Sequence, residues 1–102
     1  MGKIKLDIPH TLDKAEARQR VEKLLSYWAN KYGVAVQWAG DAAKLSGKVM
    51  GIQLAADLQV KDGRVDGDAT DPGFLFREKA KKYLTSKFAL YLDPKKPLGE
   101  LD

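Results

Sequence analysis

The run from Gly33 to Thr70 constrains the fold more than any other part of this chain. Apolar residues alternate with polar ones through it: Val34, Val36 and Trp38, then Ile52, Leu54, Ala56, Leu58 and Val60. A period of two over that length is the pattern of half-buried antiparallel strands. Turn chemistry divides the run. Gly40-Asp41 interrupts it after Ala39, and Lys61-Asp62-Gly63-Arg64 contains Asp-Gly, the strongest short hairpin signal. Ala43, Leu45, Gly47 and Val49 alternate more weakly, with Gly47 read as a bulge or strand bend. Gly51 opens the clearest strand, which extends to about Val60. Val65, Gly67 and Ala69 return from the hairpin, flanked by Arg64, Asp66, Asp68 and Thr70. So polar a strand is expected at a sheet edge, where charge opposes aggregation.

Helical periodicity flanks this run. Lys3 to Ile8 is a further strand, with Ile4, Leu6 and Ile8 on one face and Pro9 ending it. A helix follows, capped by Thr11 or Asp13; Asp13 and Glu16 have capping-box spacing. Ala17, Val21, Leu24, Leu25, Trp28 and Tyr32 share one helical face, and Gly33 supplies a left-handed stop. Glu16 precedes Arg20 by four residues, which predicts an exposed ion pair. The last helix is expected to start at Asp71-Pro72, with Asp71 as cap and Pro72 in the first turn, and to stop before Pro94. Its apolar stripe is Phe76, Ala80, Tyr83, Leu84, Phe88 and Tyr91. The predicted fold is α+β: a curved antiparallel sheet of four to five strands with two amphipathic helices on one face. Its order is β-α-β-β-β-β-α, a helix-grip-like arrangement. Residues 1–94 form a single domain, and residues 95–102 are expected to be a mobile polar tail.

Composition narrows the function classes. At 102 residues the chain is one domain with one core. It has no cysteine, which excludes disulfides and thiolate-ligated metal, and one histidine, which excludes a multi-histidine centre. No stretch reaches the roughly 20 apolar residues of a membrane span. Met1 to Lys5 does not read as a signal peptide, so a cytoplasmic location is expected. The net charge of +4 is mild and disfavours nucleic acid as the partner. No cofactor fingerprint, phosphate loop or nucleophile elbow is present. The acidic residues Asp62, Asp66, Asp68 and Asp71 lack calcium-loop spacing and read as a solvated strand plus a helix cap.

Two groups of residues remain. His10 lies between Pro9 and Thr11, where a hydrogen-bonding role at the strand–helix junction is the simplest reading. The last helix carries Arg77, Lys79, Lys81, Lys82 and Lys87 against one acid, Glu78, and Phe74-Leu75-Phe76 leads into it. One helix face cannot bury three consecutive apolar residues, so Phe74 or Leu75 is expected at the surface or folded under the preceding loop. Protruding apolar residues beside lysines suit an anionic or hydrophobic surface. Phe74, Leu75, Lys79 and Lys82 are the candidate docking residues.

The segments Ile8-Pro9-His10-Thr11-Leu12, Ala17-Arg18, Val21-Glu22 and Trp38-Ala39-Gly40-Asp41 carry a resemblance. So do Gly33 at the helix exit, the glycine-spaced strands from Leu45 to Val60, Phe74-Leu75 and the basic last helix. Over about residues 4–92 the chain resembles the polyhydroxyalkanoic acid system family, small bacterial proteins encoded near polyester storage genes. His10 and Arg18 are pattern residues of the family without an assigned role. The resemblance implies association with polyhydroxyalkanoate granules or their proteins and implies no established enzymatic activity. The expected function is a non-enzymatic accessory protein docking through the last helix. The alternative is a carrier of a hydrophobic acyl or hydroxyacyl ligand, held in a pocket between helix and sheet. An exposed edge strand would allow a homodimer.

Overall fold

A computed structural model describes residues 3–49 and 51–97. Five strands and two helices follow the predicted order: β1 (Lys3–Pro9), α1 (Lys14–Tyr32), β2 (Ala35–Ala39), β3 (Ala42–Val49), β4 (Ile52–Lys61), β5 (Arg64–Thr70) and α2 (Arg77–Tyr91). All strand pairs are antiparallel, and the sheet order is β1-β5-β4-β3-β2. The sheet is open, and the fold is α+β. Both helices join one hydrophobic core with the inner sheet face. Residues 98–102 of the predicted tail lie outside the described residues.

The period-two pattern sets the sheet's two faces. Ile4, Leu6, Ile8, Ala43, Leu58, Val60, Val65 and Ala69 are buried on the inner face. They pack with Ala17, Val21, Leu24, Leu25 and Trp28 of α1, and with Phe88, Tyr91 and Leu92 from α2 and its end. Phe88, Leu24, Leu25, Val21 and Val65 are the largest fully enclosed side chains. Each contributes roughly 1.5–3 kcal/mol relative to exposure. On the outer face the register aligns Lys5, Asp68, Asp57, Lys44 and Gln37 across all five strands. There Lys3 pairs with Asp68, Lys61 with Asp66, and Arg64 with Asp7.

Caps and turns explain the boundaries of α1 and of the hairpins. The Asp13 side chain accepts from the Glu16 N–H at 2.8 Å, and Gly33 stops α1 in the left-handed region at φ 72°. Gly63 takes φ 83° in the Asp-Gly turn, as that turn type requires.

Four expectations are corrected. The polar strand β5 is not an edge. It lies between β1 and β4, because β1, first in the chain, adds beside it. The edges are β1 and β2. A side chain at Gly67 would collide with the Asp57 carbonyl of β4, so the absent Cβ admits the tight approach of the two strands. Gly47 makes no bulge. Register runs unbroken from Ala42 to Val49, and the space above Gly47 is taken by Val34, whose Cγ1 would lie 2.9 Å from an added Cβ. Gly51 sits in the turn at φ 82°, and β4 begins one residue later. Finally, α2 starts at Arg77, not at Asp71-Pro72. The Asp71 side chain accepts from the Gly73 N–H at 2.9 Å, and Gly73 adopts φ 105°, so a local turn outcompetes the helix there.

The chain path gives the molecule two unlike ends. At the turn end, the start of α1 meets the β2–β3 and β4–β5 turns; Val60 N–H donates to the Asp41 carbonyl there. The end of β3, the start of β4, the C-terminus of α1 and residues 71–76 lie at the other, open end. The helices run antiparallel, with Arg20 of α1 reaching Tyr91 and Trp28 reaching Tyr83.

Candidate functional site

The open end gathers apolar surface. Phe74, Leu75 and Phe76 are 78, 72 and 52 % exposed. They lie in a turn closed by the Phe76 N–H to the Gly73 carbonyl at 3.0 Å. The turn is braced by Asp71, which also accepts from Arg77 Nε at 2.7 Å. Because the helix starts late, Phe76 leaves the predicted buried stripe and joins the tip. Ile52, Tyr32 and Tyr83 are also large, partly exposed apolar residues of the molecule. Lys79 and Lys82 are exposed on α2, whose buried residues are Phe88 and Tyr91. On a helical wheel both lysines fall opposite Phe88 and Tyr91, on the face turned from the core. Phe74 and Leu75 in the lead-in and Lys79 and Lys82 in the first turns of α2 are thus all exposed and close in sequence.

At the turn end, the pattern residues form ties between elements. His10 Nε2 lies 3.0 Å from the Lys61 carbonyl, and Nδ1 accepts from the Leu12 N–H at 3.2 Å. The His10 N–H donates to the Gly63 carbonyl at 3.0 Å. These bonds require the neutral ring with the proton on Nε2, and they clip the loop before α1 to the β4–β5 hairpin. The Arg18 guanidinium lies 4.0 Å above the Trp38 ring and donates to the Gly40 carbonyl at 3.2 Å and to Glu22 at 2.9 Å. Lys14 adds an ion pair with Asp41 at 3.2 Å. Ala17-Arg18, Glu22 and Trp38-Ala39-Gly40-Asp41, distant in sequence, are therefore one contact that fixes α1 to the β2–β3 hairpin. Such a stacked arginine contributes about 0.5–2 kcal/mol.

Sequence reasoning misplaced Arg20. The Glu16–Arg20 pair forms, at 2.9 Å, but Arg20 is only 3 % exposed. Its guanidinium donates Nε and Nη2 to Glu16, and Nη1 to the Tyr91 and Asp93 carbonyls at 3.0 Å each. It therefore satisfies carbonyls at the end of α2, where a cation is favoured.

Sequence reasoning also missed a seam of tyrosines and lysines between the helices. Trp28 Nε1–H donates to the Tyr83 hydroxyl at 3.0 Å, and the Tyr32 hydroxyl lies 3.4 Å from it. Lys31 Nζ donates to the Tyr27 hydroxyl at 3.0 Å. That bond holds the Tyr27 phenol below its ordinary value of 10.0. The Tyr32 phenol is raised, first by its hydrogen bond with Tyr83 and then by burial. The available signal was the four-residue spacing of Tyr27 and Lys31.

Two open grooves run along α2. One lies between β1 and α2 and is lined by Lys3, Ile4, Lys5, Asp71, Arg77, Glu78 and Lys81. The other is lined by Glu78, Lys81, Lys82, Thr85 and Ser86. No described helix is long and apolar enough to cross a membrane.

Fold and surface define a small α+β domain: an open five-stranded antiparallel sheet, two helices on one face, and an apolar tip leading into a basic helix. Residues 4–95 match a family described as "Putative polyhydroxyalkanoic acid system protein", and the chain belongs to that family. No match was found among curated proteins or among solved structures.

Proposed function

We propose that this chain is a non-enzymatic accessory protein of the polyhydroxyalkanoate system that docks on the polyester granule through its apolar tip. The observation that carries the reading is the exposure of Phe74, Leu75 and Phe76 in consecutive positions. Burying each against an apolar surface contributes roughly 1.5–3 kcal/mol, offset by the loss of free motion on association. Lys79 and Lys82, exposed on the helix that follows the tip, add attraction to surface carboxylates or ester carbonyls. Family membership supports the polyester as the surface in question. The carrier reading draws less support, because the space under α1 is filled by Val21, Leu24, Leu25 and Trp28 packed with Leu58 and Val60.

Co-sedimentation with purified polyhydroxyalkanoate granules tests the reading. Wild-type chain is expected in the pellet, the Phe74→Ser/Leu75→Ser double variant in the supernatant, and Lys79→Glu/Lys82→Glu between them. Absence of wild type from the pellet, or equal pelleting of the tip variant, would refute tip docking.

A further inference from the structure

The same motif occurs once on each helix: Tyr27-Trp-Ala-Asn-Lys31 on α1 and Tyr83-Leu-Thr-Ser-Lys87 on α2. A spacing of four puts tyrosine and lysine on one face of their helix. Antiparallel packing then sets the two pairs against each other. Lys87 Nζ lies 5.1 Å from the centre of the Tyr27 ring and 5.9 Å from that of Tyr83. Lys31 Nζ lies 5.4 Å from the Tyr27 ring and 5.6 Å from the Tyr32 ring. Two ammonium groups and three phenols therefore share one seam.

The seam lacks a counter-charge. Glu16 is engaged by Arg20 and Glu22 by Arg18, while Glu78 stands in the first turn of α2. Among the described residues neither Lys31 nor Lys87 has a carboxylate partner; both lie over aromatic rings. Their unused protons are donors. The Tyr27 hydroxyl accepts from Lys31, so its own proton is available to donate; the Tyr83 hydroxyl accepts from Trp28 and is available to donate when Tyr32 is the donor of their 3.4 Å contact. The phenols of the seam respond oppositely: Tyr27 is lowered by its bond from Lys31, and Tyr32 is raised by its bond with Tyr83 and by burial.

We propose that the α1–α2 seam is an oxyanion-binding site, in which Lys31, Lys87 and the hydroxyls of Tyr27 and Tyr83 hold the carboxylate of a small organic acid or a phosphate group. The site is independent of the docking tip, since it uses none of residues 74–76. The indole N–H of Trp28 reports on it, because that proton is bonded to Tyr83. The test is an amide and indole NMR titration of the full chain with inorganic phosphate and, separately, with sodium butyrate. Ionic strength is held constant with chloride, and Trp38→Phe assigns the two indole signals.

A saturable shift of the Trp28 indole with at least one anion is expected, and the anion that saturates identifies the ligand class. Binding is expected to weaken about tenfold in Lys31→Gln and in Lys87→Gln, the loss of one charge-assisted hydrogen bond. Phe74→Ser should leave the curve unchanged. A response shared with chloride, a curve unaltered in both lysine variants, or an equal loss in Phe74→Ser would overturn the site.

Discussion

The turn end and the open end use similar residues for opposite purposes. At the turn end, aromatic and basic side chains are spent inward. Arg18 lies on Trp38, His10 bonds the β4–β5 hairpin, and Arg20 closes the end of α2. At the open end, Phe74, Leu75, Phe76, Lys79 and Lys82 are exposed and show no such partners among the described residues. The difference shows that residue type alone does not mark a docking surface. What sets the open end apart is that its exposed apolar groups have no packing role in the fold.

Stability measurements can break this comparison. The largest effect is expected for Arg20→Ala, which strands the Tyr91 and Asp93 carbonyls and leaves Glu16 without its partner. A loss of about 2–3 kcal/mol in urea unfolding is the expected scale for removing the hydrogen bonds of a buried guanidinium to two carbonyls, since Glu16 itself stays partly exposed. A loss under about 1 kcal/mol would mean that the turn end is not a clamp. His10→Ala comes next. It removes the ring bonds to Lys61 and Leu12, at about 1–2 kcal/mol by the same measurement. The smallest effect is expected for Phe74→Ser/Leu75→Ser, within about 0.5 kcal/mol of wild type. A large loss there would show that the tip supports the fold, and would erase the contrast between the ends.

The strands and α1 were legible because each obeys one period from end to end. Ile4, Leu6 and Ile8, and Leu58 and Val60, point inward as their alternation requires. The errors arose where a local signal had a competitor. Asp71-Pro72 is a helix start by composition, yet the Asp71 carboxylate found the Gly73 N–H first. The aspartates of β5 suggested an edge, but strand order depends on where β1 returns, and no residue of β5 encodes that. Arg20 looked like a solvent-facing partner for Glu16 because its other partners lie more than 70 positions away, at Tyr91 and Asp93. The docking candidates Phe74 and Leu75 could be named because three consecutive apolar residues do not fit one helical face. The tyrosine–lysine seam could not, since it exists only once two helices are laid antiparallel.

The outer sheet face carries a further consequence. Lys5, Asp68, Asp57, Lys44 and Gln37 form a transverse row in which cations bracket carboxylates, on the side opposite the helices. Docked by its tip, as proposed, the molecule would keep this row clear of the particle and in the water. The molecule measures 34 × 24 × 23 Å, so a single adsorbed layer would replace a greasy boundary with a thin skin of mixed charge. Skins of that kind hydrate strongly and carry little net field. The row's two lysines and two aspartates cancel, so it stays hydrated without adding to the net charge of +4.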